Sequence, residues 1–178
     1  YLQHTLPELV RIADKVTVIT LATDTEARGL ATKYGAEVHL TDQLKGNFCK
    51  GKAIREALSR ADNDWLLHVD ADIGILQRID TADLCKNTLY GAHRYPITSE
   101  FQWELIKGVP TCWRKMSPCP QDAPFTSVRF RRKSRTSKVL PPGYFQLWHS
   151  SQGKTYPCRS IDASLDDILH AERFKSTA

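Results

Sequence analysis

Between Lys15 and Gly74 the sequence alternates short β-branched or apolar runs with helical stretches, and few folds accept that order. The run Lys15-Val16-Thr17-Val18-Ile19-Thr20 is rich in β-branched residues and reads as a strand. Thr23 and Asp24 supply N-cap chemistry for a helix reaching Tyr34, and Gly35 closes it. Ala36 to Leu40 forms a second strand ending at Thr41-Asp42. Gly51 to Arg60 forms a second helix, with Ala53, Ile54, Ala57 and Leu58 on its inner face. Trp65-Leu66-Leu67-His68-Val69 then gives a run short enough for a buried strand and too short for a helix. An amphipathic helix over Tyr1 to Ala13 precedes all of this, with Leu2, Leu6, Leu9, Val10 and Ile12 at helical spacing and Pro7 marking a first turn or a kink. Such alternation predicts an α/β fold with a mostly parallel central sheet and helices on both sides.

The third strand stops at two carboxylates, Asp70 and Asp72. If the chain stays extended, residues two apart point the same way, and two like charges then repel. A divalent cation relieves that repulsion, and oxygen-only ligands suit Mg²⁺ or Mn²⁺. The plainer reading is that both carboxylates solvate a turn. In doubly wound sheets ligands sit beyond the carboxyl ends of the strands. Thr20, Thr41 and the Asp70/Asp72 pair all fall there, which favours a site.

Beyond Gly74 the pattern loosens. Thr88 to Tyr95 reads as a strand, Ser99 to Lys107 as a short helix, and Pro142 to His149 returns to strand character. Residues 109–140 form an irregular, proline-containing excursion that carries the basic run Arg129-Phe130-Arg131-Arg132-Lys133-Ser134-Arg135. Ser164 can cap a last helix whose first turn holds Asp166 and Asp167. At 178 residues the chain reads as one domain over 1–178. No apolar run approaches the ~20 residues of a membrane span, and no signal peptide is visible, so a cytoplasmic location is expected. Five scattered cysteines without a Cys-x-x-Cys pair argue against structural zinc and fit a reducing compartment. A net charge of +5 favours polyanionic partners, nucleotide phosphates and nucleic acid among them.

Taken together these pieces resemble the GT-A glycosyltransferases, specifically short family-2-like members. Four stretches carry the resemblance: Val18-Ile19-Thr20 followed by Asp24; Phe48-Cys49-Lys50-Gly51-Lys52 opening a helix; Asp64 to Asp72; and Pro142-Gly143-Tyr144-Phe145-Gln146-Leu147-Trp148 with Tyr156-Pro157 and Asp166-Asp167. The match spans Tyr1 to Phe174 and is poor over Thr98 to Leu140. Two departures stand out. Cys49 replaces the usual Asn, and the family's first strand, which precedes the Tyr1 equivalent, has no counterpart from Tyr1 onward.

The resemblance implies a single Rossmann-like GT-A domain whose Asp70 and Asp72 hold Mn²⁺ or Mg²⁺ against the diphosphate of a nucleotide sugar, a UDP-sugar first among the candidates. Asp72 would ligate the metal directly, and Asp70 the metal, the ribose or a metal-bound water. Lys50, at a helix start where phosphate is favoured, would contact the nucleotide. Thr20 and Asp24 would face the nucleoside; a plain N-cap is the equal alternative for Asp24. Transfer with inversion needs a general base, for which Asp166 and Asp167 lead, against a role complementing the helix dipole. His149 is the candidate third metal ligand, with His170 as substitute. His68 is left out, and Trp103, Trp113 and Trp148 are assigned to core packing before sugar stacking.

The expected activity is therefore a metal-dependent hexosyltransferase, of inverting type, acting on a hydroxyl acceptor. Small enzymes resembling this chain occur among viral genes that decorate hydroxymethylated pyrimidines in DNA. The Arg129–Arg135 run would suit that acceptor by tracking a phosphate backbone, and a viral protein in the host cytoplasm is the matching location. A solvated loop is the plain alternative for the run. A glycan-directed glycosyltransferase, a nucleotidyltransferase and a non-catalytic nucleic-acid-binding module are the competing functions.

Overall fold

The computed structural model describes residues 1–46, 49–76, 78–91, 99–101, 103–104, 145–157, 170 and 174, together with the backbone of 131–132. The elements run α1 (Leu2–Ile12), β1 (Thr17–Thr20), α2 (Thr25–Tyr34), β2 (Glu37–Leu40), α3 (Lys50–Leu58), β3 (Trp65–Val69), β4 (Tyr90–Gly91), β5 (Arg131–Arg132) and β6 (Phe145–His149), with a 3₁₀ turn at Ser150–Gln152. Local chemistry explains the boundaries of the first half. Asp24 Oδ1 accepts from the Ala27 N–H at 3.0 Å and starts α2. Gly35 ends it at φ 74°, a left-handed turn that favours glycine. Pro7 sits inside α1 without ending it.

The chain is mixed α/β, but its strands divide into two sheets. β1 and β2 pair in parallel, Thr17 opposite Glu37 through Thr20 opposite Leu40. The second sheet has the order β3-β6-β4-β5, and every pairing in it is antiparallel. The expectation of one mostly parallel sheet is thus met only in β1–β2. The reason is nonlocal: β6 arrives from far along the chain and runs against β3, a pairing that needs no crossover helix between neighbours.

Side-chain alternation along β3 and β6 feeds two apolar clusters. Leu66 and Trp148 join Ile54 and Leu58 of α3 with Leu89 and Tyr156. Phe145 and Leu147 join Leu9 and Ile12 of α1 with Ile75 and Tyr90, and Trp65, Leu67 and Val69 pack against them. Helices therefore cover the β3–β6 pair on opposite faces, as the period-two pattern requires. Gly74 follows β3 beneath Trp103: a Cβ built there would collide with the indole, so the ring occupies the space of a side chain. Trp103 and Trp148 are both buried, consistent with packing roles. Trp113 lies outside the described residues. Among the described residues no helix is long and apolar enough to cross a membrane.

Candidate functional site

The carboxyl ends of β1, β2 and β3 carry the polar residues singled out from the sequence. Thr20 is buried at the end of β1, and its Oγ1 donates to Asp24 Oδ2 at 3.0 Å. With Oδ1 capping α2, both Asp24 oxygens are engaged by the protein. The capping reading of Asp24 therefore describes what it does here. At the end of β2, Thr41 Oγ1 donates to Glu56 Oε2 on α3 at 2.7 Å, and His39 Nε2 lies 3.6 Å from the same oxygen.

The Thr41 hydrogen bond is the main reason that the Glu56 carboxyl titrates below its usual 4.5. A depressed folded pKa adds stability above the unfolded value, and that stability is lost as pH falls through the folded pKa. Thr41→Val is expected to cost about 1 kcal/mol at pH 7, the scale of one hydrogen bond. Urea unfolding should show the gap between wild type and variant narrowing below pH 4.5.

At β3 the decisive contact is an ion pair. Lys50, the first residue of α3, places Nζ 2.8 Å from Asp70 Oδ1. Lys50 is 15% exposed and Asp70 37%. His68 Nε2 stands 3.6 Å from the same Asp70 oxygen. Burial first, then the charges of Lys50 and His170, push the His68 imidazole well below its usual range, so it is neutral at pH 7. Its Nδ1 is buried without a hydrogen-bond partner among the described residues. The sequence reading omitted His68, although its two-residue spacing from Asp70 on a strand was the available signal.

Behind this cluster the polar residues continue into the core. The His68 ring meets Tyr156 edge-on at 5.6 Å, and Tyr156 Oη donates to Gln146 Oε1 at 2.7 Å. Gln146 stands opposite His68 in the β3–β6 register. His170, the substitute metal ligand, is instead stacked on Tyr156 at 4.4 Å and edge-on to Trp148 at 4.7 Å, a packing position.

The two strand-end carboxylates do not sit on one extended segment. β3 ends at Val69, and the Ile73 N–H donates to the Asp70 carbonyl at 3.0 Å, closing a turn over Asp70 to Ile73. Asp72 is exposed on that turn, while Asp70 is held by Lys50. His149 is not brought to them. It pairs in register with Trp65, at the opposite end of β3 from Asp70, about 17 Å away at ~3.4 Å per residue. Its Nδ1 is taken by Ser151, with Oγ at 2.8 Å, and its ring abuts Trp65. The assignment of His149 as a metal ligand is corrected here: antiparallel pairing puts Phe145, not His149, opposite the end of β3.

Asp166 and Asp167 lie outside the described residues, as does the Arg129–Arg135 run apart from the backbone of Arg131–Arg132 in β5. Cys49, where the resemblance expects Asn, is the N-cap residue of α3 and makes no side-chain capping bond. No group of three His, Cys, Asp or Glu placed to hold a metal occurs among the described residues. No family model, characterised protein or solved structure matches the chain.

Proposed function

We propose that the chain is a nucleotide-sugar glycosyltransferase of GT-A type that works with Mn²⁺ or Mg²⁺ and transfers a hexosyl group to a hydroxyl. The observation supporting this most is that the Lys50–Asp70 and Thr20–Asp24 pairs, at the carboxyl ends of β3 and β1, line one and the same cavity. A carboxylate beside a helix-start lysine offers one group for a cation and one for phosphate oxygens. The donor set fits such a cation: Mg²⁺ is usually held by one or two carboxylates together with substrate phosphates, and needs no third protein ligand. Asp70 and Asp72 would hold it, and it would stabilise the diphosphate leaving group.

Energetics allow Lys50 to serve two partners. A partly exposed ion pair such as Lys50–Asp70 is worth about 1 kcal/mol or less. Were Asp70 to hold the cation instead, Lys50 would be released to contact phosphate oxygens. His68, neutral and largely buried, stands beside Asp70 without adding positive charge. Asp166 and Asp167 are kept as the general-base candidates for deprotonating the acceptor.

A thermal-shift panel of nucleotide sugars with and without Mn²⁺ tests the reading. One donor is expected to raise the melting temperature in the presence of Mn²⁺, through mass action on the folded state, and Asp72→Ala should abolish that shift. No shift with any donor would overturn the proposal. For the acceptor we favour modified duplex DNA, on the strength of the basic run and the net charge of +5. Neutralising Arg131, Arg132 and Lys133 together is expected to weaken duplex binding and flatten its salt dependence. Unchanged binding would favour a glycan acceptor.

A further inference from the structure

The helices α2 and α3 start by different chemistry. Asp24 caps α2 through its side chain, and Glu26 follows in the first turn. At α3 the N-cap position holds Cys49, which makes no side-chain capping bond, and the first turn carries no acidic residue. The first N–H groups of a helix lack intrahelical partners, and a capping side chain both satisfies one and fixes where the helix begins. Lys50 is the first residue of α3, so its reach toward Asp70 depends on that start being fixed.

A chain of hydrogen bonds reaches that start from further along the helix. Glu56 Oε2 accepts from Thr41 Oγ1 at 2.7 Å, and the same hydroxyl accepts from the Gln43 N–H at 3.1 Å. The Gln43 carbonyl accepts from the Cys49 N–H at 2.8 Å. The Cys49 carbonyl in turn accepts from the Ala53 N–H at 3.2 Å, the first intrahelical bond of α3. Direction matters at Thr41. The Glu56 carboxyl titrates below its usual 4.5, chiefly because of Thr41, so at neutral pH it can only accept. The hydroxyl therefore aims its hydrogen at Glu56 and turns a lone pair to the Gln43 amide. Thr41 is buried, where water competes least for such bonds.

Geometry leaves the loop as the route from Glu56 to Lys50. On an ideal helix the two residues lie about 9 Å apart along the axis, at ~1.5 Å per residue, and about 120° apart around it. Their side chains therefore point away from each other. Among the described residues no lysine or arginine pairs with Glu56, and His39 Nε2 stands 3.6 Å away, longer than a hydrogen bond. The carboxylate is committed to Thr41.

We propose that Glu56 is a positioning residue: through Thr41, Gln43 and Cys49 it sets the start of α3, and with it the placing of Lys50 against Asp70. It does for α3 what a capping side chain does for α2. That Lys50 then meets donor phosphate rests on the glycosyltransferase reading; the positioning itself does not.

Carbon-13 NMR of the Asp70 carboxyl and amide hydrogen exchange test this on the full chain without a donor. Lys50→Met gives the Asp70 signal of the unpaired carboxylate. Glu56→Ala should move that signal most of the way to the same value. Exchange of the Cys49 amide should quicken by about tenfold, measured against the amides of β3 and β6 to discount global unfolding. Thr41→Val should reproduce both effects. Glu56→Gln, whose side-chain carbonyl still accepts from Thr41, should restore both readouts. The proposal is overturned if Lys50→Met or Glu56→Ala leaves the Asp70 signal unmoved, or if the Cys49 amide is indifferent to Glu56→Ala. It is overturned equally if Glu56→Gln behaves as Glu56→Ala does. A wild-type chain stabilised by no donor would sink the glycosyltransferase reading, while the carbon and exchange results would still decide the role of Glu56.

Discussion

Under the proposed glycosyltransferase function, Asp70→Asn is expected to lower sugar transfer by about 10²–10³-fold, the scale of losing one preorganised electrostatic group, while the fold survives. The substitution keeps the shape and removes the charge that Lys50 and His68 approach. Circular dichroism and the melting temperature establish that the variant is folded, and initial rates with the donor identified in the thermal-shift panel give the loss. Asp24→Asn is the control. Asn caps a helix about as well as Asp, so α2 should hold, and activity should change less than tenfold if Asp24 is mainly a cap. An Asp70→Asn variant with a near wild-type rate would remove the reason for placing the proposed chemistry at the end of β3. An equal loss in both variants would move the donor contact toward β1.

Trp148→Ala should be the most destabilising single change among the described residues, costing about 3–5 kcal/mol. Trp148 is fully buried, donates from Nε1 to the Gly153 carbonyl at 3.1 Å, and packs on Tyr156 and His170. It also stands opposite Leu66 in the strand pairing that joins the candidate site to the core. Domain stabilities are typically ~5–15 kcal/mol, so much of the margin would be lost. Urea unfolding followed by far-ultraviolet circular dichroism measures the change. Trp148→Phe, which retains a ring and forfeits the N–H bond, should cost less. A Trp148→Ala variant within 1 kcal/mol of wild type, on the order of a surface substitution, would show that β6 does not pack as described.

What was legible in the sequence was local. The Asp24 cap, the Gly35 stop, the β-branched run before Thr20 and the apolar run before Asp70 each act over a few residues, and each appears where the pattern placed it. The pairing of Lys50 with Asp70 was not legible. Both residues were candidates, but only the return of α3 to β3 makes them neighbours. His68 was missed for a related reason: its side of the strand follows from spacing, while its burial depends on Tyr156 and Gln146, brought in by β6 and the residues after it.

His149 shows the limit most plainly. Its strand was recognisable from composition, yet the direction of that strand was not, because strand pairing is decided by contacts far apart in the chain. The sequence by itself determined which segments are helix or strand and which polar residues end them, since capping and side-chain periodicity are short-range. The tertiary structure alone decided that β6 runs against β3, that Lys50 pairs with Asp70, and that β1 and β3 belong to separate sheets. Those outcomes depend on which edges meet, and backbone hydrogen bonding carries no label for its partner.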